Sequence, residues 1–490
     1  MAKKKGKTII IGLDGGTFYL IDGLVNKGIL PNLKKIMSEG YKNICKSIYP
    51  PLSPPAWVSI ATSANPAKHG IFDFFYMPFK KQKSYVRKIV NTHEWKVGTI
   101  FKILNDKGLS CGIINYPMGY PPLEVKEYFI SGLGTPDESC AYVYPEELKK
   151  EINKKFPGYT VDAGGGVGNT YSGFLKACVK SEEGRLELSK YLFDKYDVDL
   201  FFVIFAFTDR VQHWFWKFLD KNHPQHEEWS EATEAYQGFF IKFDEFLGFI
   251  LSRMHENDNL IIMSDHGFGP IKKYFYINKF LYDVGLLKFK TGAKIFTQQN
   301  TPDGLLTSID WSKTRAYSLG DYGEIRINLK GREPMGIINP GKEYDQLVAF
   351  IKKLLEAIKD PSDKKRIVDR VFFKKEIYSG EHLGEAPDLI FTMRNCEYIS
   401  YINGRGNEFY KYDRVFLKEP SKKEMEQWTG SHNLDGIFIA YGKNVNKNAK
   451  IKEISILDLP PTILYLQGTK IPSYSDGNAL KGLFNKIHNK

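Results

Sequence analysis

The sequence predicts an α/β fold in which a mainly parallel central sheet is covered by helices on both faces and interrupted by an inserted cap. Three observations predict it. Short apolar runs of strand length alternate with longer helix-like segments, several of these runs end abruptly in polar or glycine residues, and one long stretch in the second half breaks the pattern.

The strand-like runs are Thr8 to Leu13, Cys111 to Asn115, Asp199 to Phe207, Leu260 to Ser264 and Gly436 to Tyr441. Between them lie helix-like segments at Pro31 to Ser38, Pro55 to Thr62, Trp95 to Lys107, Glu182 to Lys195 and Glu231 to Met254, with another at Ile454 to Gln467. From about Tyr274 to Thr429 the texture changes: the chain is Lys-rich, broken by Gly and Pro, and carries its own strands (Gly323 to Leu329, Asp388 to Met393) and an amphipathic helix, Glu343 to Ile358. The expected organisation is therefore a catalytic core over 1–273, an inserted cap or substrate region over 274–429, and a core return over 430–490.

A chain of 490 residues can bury a large core. The 69 Lys and Arg against 57 Asp and Glu leave a charge of +12, which favours anionic partners. The excess is spread over short clusters such as Lys80-Lys81 and Lys364-Lys365-Arg366, which argues against nucleic acid as the main ligand. Five cysteines, at 45, 111, 140, 178 and 396, are odd in number and lack C-x-x-C spacing, as expected of a reducing compartment. The basic Lys3-Lys4-Lys5 leads into an apolar segment too short for a signal sequence, and no later stretch is long enough to span a bilayer. A cytoplasmic protein is expected.

The chemistry is concentrated where the apolar runs stop. Leu260 to Ser264 ends in Asp265-His266, and Thr8 to Leu13 ends in Asp14. Asp209 follows the third run with His213 four residues on, so both project from one face if the chain is helical there. His432 precedes the last run, and Ser53 stands in Tyr49-Pro-Pro-Leu-Ser-Pro-Pro-Ala-Trp57 directly before a helix. In open α/β sheets the carboxyl ends of the strands are where ligands bind. Carboxylate oxygen and imidazole nitrogen together suit a borderline divalent ion, zinc first and manganese second. Two such groups of ligands fit a two-metal site for in-line phosphoryl displacement, and a serine at a helix N-terminus would be its nucleophile, with backbone N–H groups aimed at the phosphoryl group.

The order of these motifs resembles the alkaline phosphatase superfamily, and within it the type I phosphodiesterase/nucleotide pyrophosphatase family. The resemblance rests on Gly12-Leu13-Asp14-Gly15, on Tyr49 to Gly70, on Thr208-Asp209-Arg210-Val211-Gln212-His213, on Ser264-Asp265-His266-Gly267 and on Gly430-Ser431-His432, and it runs from residue 8 to about 480. It implies an alkaline phosphatase-like α/β/α sandwich acting on a small phosphate ester, a nucleotide or a phospholipid or sugar head group. It implies that Asp14, Ser53, Asp265 and His266 surround one metal and Asp209, His213 and His432 hold the other, with a covalent intermediate on Ser53.

Nucleotide pyrophosphatases of this family place an Asn three residues after the nucleophile to bind phosphate; here that position is Ala56. Asn115 and Arg210 are the replacement candidates, and Tyr322 of the cap is a further candidate for substrate contact. A phosphomonoesterase or phosphomutase on the same scaffold, and a catalytically silent protein that binds a phospho-ligand, stay open as alternatives. A sulfatase is disfavoured because Trp57 stands where that pattern needs Arg. The histidines at 69, 93, 223, 226 and 255 have no strand-end placement and are expected on the surface or at helix caps.

Overall fold

The computed structural model describes residues 6–77, 85, 87–163, 170–291, 302–402, 417–418 and 428–485. The chain divides into two compact units: Met1–Gly70, Asn91–Pro270 and Lys422–Lys490 form the first, Ile71–Val90 and Ile271–Ser421 the second.

The first unit is built on a nine-stranded sheet. In chain order its strands are β1 (Thr8–Leu13), β2 (Tyr41–Lys46), β3 (Cys111–Tyr116), β4 (Glu127–Ser131), β5 (Val143–Tyr144), β6 (Leu200–Phe205), β7 (Asn259–Met263), β8 (Asp435–Tyr441) and β9 (Ile454–Ser455). The spatial order is β9-β2-β8-β7-β1-β6-β3-β4-β5. The run β7-β1-β6-β3-β4 is parallel throughout, whereas β8 pairs antiparallel with β2 and β7, and β5 antiparallel with β4.

The central strands read as unbroken apolar runs because both their faces are covered. Along β1, Ile9, Ile11 and Leu13 enter one core with the long helices, while Ile10 enters the other with Trp57, Phe101 and Phe202. The helices that matter for the site are α1 (Ser53–Thr62), α2 (Tyr171–Lys195), α3 (Phe207–Leu219) and α4 (Ser230–Leu251). Of these α2 begins eleven residues before the expected Glu182, N-capped by the Thr170 hydroxyl on the Gly173 N–H. The short strands β2 and β4 have no alternation clear enough to be read from sequence. β2 has exposed or half-exposed Lys42, Asn43 and Ile44 between its two buried residues, Tyr41 and Cys45, and half-exposed Lys46 after them.

The second unit has its own core, gathered around a four-stranded antiparallel sheet (Ala316–Tyr317, Glu324–Ile327, Leu389–Met393, Val368–Phe373) against the helix Lys342–Ala357. The stretch 274–429 expected to be a cap thus contributes most of this unit. The segment Ile71–Val90, assigned from sequence to the first core segment, belongs to the second unit instead. The reason is local: Tyr85 stacks on Trp311 at 3.6 Å and donates its hydroxyl to Asn328 at 2.8 Å. Nothing in its sequence spacing announces partners more than two hundred residues away.

Candidate active site

Three adjacent parallel strands deliver their loops to one sheet edge. β1 pairs with β7 through Gly12 and Met263 and with β6 through Leu13 and Phe205, so Asp14, the Ser264-Asp265-His266 turn and the start of α3 emerge side by side. α3 begins at Phe207, before Asp209, so Asp209 and His213 lie one turn apart on its buried face. His432 sits within a short strand, Gly430–Asn433, rather than at a strand end; this strand pairs antiparallel with Gly267–Pro270 and sets His432 opposite Phe268.

The predicted ligand residues converge. Oxygen or nitrogen atoms of Asp209, His213 and His432 lie within 4.8 Å of one another, and so do those of Asp14, Asp209 and His266. Ser53 Oγ stands 3.5 Å from Asp14 Oδ1 and 3.2 Å from His266 Nε2. Asp265 joins through Oδ1, which accepts from the Gly15 N–H at 3.2 Å, and through Oδ2, 3.3 Å from His266 Nε2. All seven are buried.

The imidazoles are oriented alike. His266 Nδ1 lies 3.1 Å from the Gly267 carbonyl, His213 Nδ1 3.2 Å from that of Gly430, and His432 Nδ1 2.8 Å from that of Pro51. A carbonyl only accepts, so each Nδ1 carries a proton, and in its neutral form each ring turns an Nε2 lone pair into the site. Burial, then the neighbouring His432, depresses the pKa of His266; burial also depresses that of His432. Asp209 goes the other way from its carboxylate neighbours. Burial opposes its ionisation but is outweighed by the attraction of His213 and His432 when those rings carry a second proton, which holds it well below the usual range. Asp14 and Asp265 are pushed well up, by burial first and then by Asp209 and by Asp14 respectively.

Such an arrangement places acceptor against acceptor. His432 Nε2 is 3.0 Å from both Asp209 Oδ1 and His213 Nε2, and the fully buried Asp265 Oδ2 has no hydrogen-bond partner. Lone pairs that converge without a proton between them are what a divalent cation satisfies, and the mixed oxygen and nitrogen set fits zinc or manganese.

The turn that carries Asp14 is pinned at three successive carbonyls. Thr208 Oγ1 donates to Asp14 O at 2.5 Å, Gln212 Nε2 to Gly15 O at 2.8 Å and Ser264 Oγ to Gly16 O at 3.0 Å. Gly15 has φ +66°, and a Cβ there would stand 2.9 Å from the Phe268 ring. These pinning residues lie inside the motifs read from sequence, yet only the ligand-type neighbours were singled out, because a Thr, Gln or Ser gives no chemical signal alone. Trp57, Phe268 and Trp428 were missed too: Trp57 Nε1 donates to Asp14 Oδ2 at 3.0 Å, and Trp428 and Phe268 contact the His213 ring at 4.0 and 4.8 Å between centroids.

The start of α1 departs from expectation. Leu52 is its N-cap and Ser53 its first residue, but Pro54 and Pro55 have no N–H and the Ala56 N–H is spent on Leu52 O at 3.0 Å. This helix end offers its dipole and the Ser53 N–H rather than the expected cradle of donors. Asn115, at φ +61° in β3, gives its amide to Ile204 O at 3.1 Å, which leaves a buried Oδ1 with no partner. Its open atom is thus an acceptor. Arg210 is held by Asp162, with Nε to Oδ1 at 3.2 Å, and its charge reaches Asp14 and Asp209. Tyr322 belongs to the second unit. His69 and His223 are buried rather than exposed, His69 against Ser59 Oγ at 3.0 Å.

A mainly parallel sheet whose strand ends bring acid and imidazole side chains around a helix-borne serine defines an alkaline phosphatase-like α/β enzyme. The sequence profile of the type I phosphodiesterase / nucleotide pyrophosphatase family matches residues 8–428, and the chain belongs to that family. It is a hydrolase acting on phosphoric ester bonds. Among solved structures it is similar to phosphonoacetate hydrolase from Sinorhizobium meliloti 1021 in complex with phosphonoacetate, with TM-score 0.60 and 15% identity over 95% of this chain and 96% of that one. Human ectonucleotide pyrophosphatase / phosphodiesterase 5 gives 0.55 and 12% over 98% and 100%. The murine protein of that name, inactive and in complex with AMP, gives 0.53 and 14% over 96% of both chains. A search of the curated proteins found no match. Among the described residues no helix is long and apolar enough to cross a membrane.

Proposed function

We propose that the protein is a phosphodiesterase of nucleotide pyrophosphatase type that works through a covalent intermediate on Ser53 at a two-metal site. The observation that carries this reading is the convergence of three imidazoles and three buried carboxylates in two groups that share Asp209, one of which, through Asp14 and His266, borders the Ser53 hydroxyl. Asp14, Ser53, Asp265 and His266 would hold one ion, and Asp209, His213 and His432 the other. Bound there, two divalent ions, zinc in first place and manganese in second, lower the pKa of the serine hydroxyl and neutralise charge on the phosphoryl oxygens.

The chain's own part is positioning. α1 presents Ser53 at its first residue, with the helix dipole behind the oxygen that attacks phosphorus. The ester P–O bond breaks, the alcohol leaves, and water releases the phosphoryl group and restores the serine. Because α1 is poor in free donors and Ala56 has no side-chain amide, the phosphoryl oxygens need a cation from elsewhere, and Arg210, tethered by Asp162 and felt by both Asp14 and Asp209, is suited to supply it. Asn115 Oδ1 is suited to a hydroxyl or a water instead. AMP and phosphonoacetate in the structural neighbours support a small phospho-substrate, and the odd number of cysteines without C-x-x-C spacing supports a cytoplasmic setting.

Ser53→Ala tests the reading. Hydrolysis of a bis-aryl phosphodiester should fall by about 10³-fold or more while bound metal, read by elemental analysis, is retained; undiminished turnover would remove Ser53 from the chemistry. Turnover of the matching aryl phosphomonoester, compared in the wild-type protein, decides between diesterase and monoesterase.

A further inference from the structure

We propose that Trp57 is a positioning residue that fixes how Asp14 is presented to a metal, an inference that rests on the two-metal reading above. Ser53 and Trp57 are four residues apart in α1 and so lie on one face of the helix. Between them they address both oxygens of one carboxylate: Ser53 Oγ stands 3.5 Å from Asp14 Oδ1, and Trp57 Nε1 donates to Asp14 Oδ2 at 3.0 Å.

The consequence follows from donor chemistry. An indole N–H can only donate, so it requires an acceptor oxygen and occupies Oδ2. Oδ1 is left facing Ser53 and, at 3.6 Å, His266 Nε2. Asp14 is thereby held as a one-oxygen ligand. Such partners of metal-ligating groups orient the ligand and tune its basicity.

Trp57 is itself immobilised. It is completely buried, its carbonyl accepts the Tyr116 hydroxyl at 2.8 Å, and its ring stands edge-on to Tyr116 and Phe202 at 6.0 and 6.3 Å. Its far edge packs over β1, where a Cβ on Gly12 would lie 2.7 Å from Cη2. Gly12 in the Gly12-Leu13-Asp14-Gly15 motif therefore makes room for this indole. One rigid turn of α1 sets nucleophile and ligand together, so displacement of either is felt by the other.

The test is a Zn²⁺ titration of chelator-stripped protein against a chromophoric competitor, with Asp14→Asn and His213→Ala assigning the two affinities. Trp57→Phe removes the donor but also shrinks the ring. A second variant therefore carries at position 57 the benzothiophene isostere of tryptophan, which keeps the shape and lacks the N–H. Both should weaken the Asp14 site by about 10- to 100-fold while the His213 site changes by less than about twofold. In the isostere variant the melting temperature of the stripped protein should be unchanged. Full Zn²⁺ affinity at the Asp14 site in the isostere variant overturns the proposal even if Trp57→Phe is impaired, since packing alone would then explain Trp57. Equal weakening at both sites overturns it as well. A wild-type protein that takes up no ion through Asp14 overturns the two-metal reading and this inference with it.

Discussion

Asp265 in the first unit and Asp388 in the second are both buried carboxylates, and the chain treats them in opposite ways. Asp388 is saturated. Arg332 binds it with two nitrogens at 2.8 and 2.6 Å, Lys374 lies at 2.9 Å, the Tyr344 hydroxyl at 2.8 Å and the Ile327 N–H at 2.7 Å. Burial opposes its charge, but Arg332 and Lys374 prevail and hold the carboxyl far below its usual range. Asp265 has one backbone N–H on Oδ1, none on Oδ2, and Asp14 close enough to raise its pKa further. A buried charge that serves the fold is fully paired; a buried charge left half-paired beside others of the same sign is waiting for a cation.

Replacing each carboxylate breaks or sharpens that contrast. Asp265→Asn should lower diester turnover by about 10³-fold or more, yet make the metal-free protein more stable by something on the order of 1 kcal/mol, because the cost of burying an ionisable carboxyl is gone. Turnover and the chelated melting curve check it, and a variant that loses stability like the Asp388 variant would erase the distinction. Asp388→Asn should cost about 3–5 kcal/mol, since Arg332 and Lys374 would stay buried without their acid. Its metal content should not change; denaturant unfolding and elemental analysis read the two effects. Gly15→Ala, at φ +66° with Phe268 in the way, should cost about 1–3 kcal/mol. The loss should be larger with metal bound than after chelation, because the turn presents Asp14, and a cost independent of metal would confine Gly15 to a folding role.

A third carboxylate lies between these two in behaviour. Burial pushes Glu324 in the second unit up to about 7, only partly opposed by Arg326. Its folded pKa exceeds the unfolded one, so its contribution is complete below the unfolded glutamate range and is lost as pH rises through about 7. Stability should fall between about pH 4.5 and 7 by something on the order of 1 kcal/mol per pH unit, and Glu324→Gln should flatten that slope. Equal slopes in the two proteins would show that the group is solvated.

Legibility in the sequence tracked how a residue's signal arises. β1, β3, β6 and β7 were readable because a strand covered on both faces is an unbroken apolar run, while β2, with one open face and a weak alternation, was not. The six acid and imidazole side chains of the site were readable because such residues near the ends of apolar runs stand out, and Ser53 because it directly precedes a helix. Thr208, Gln212 and Ser264 were not, since each acts through a hydrogen bond to a carbonyl of the Asp14 turn far away in the chain. The expected phosphate cradle at α1 failed on a detail already present in the sequence, the absence of N–H groups on Pro54 and Pro55.

The sequence by itself determined the α/β architecture, the family and which side chains gather at the sheet edge, because apolar periodicity and residue chemistry are local properties. Tertiary structure decided the rest: which imidazole nitrogen faces inward, which carboxylate is driven up and which down, that Ile71–Val90 joins the second unit, and that Trp57 grips Asp14. Those outcomes depend on distance, burial and the partner across a gap, quantities that exist only once remote segments have been packed together.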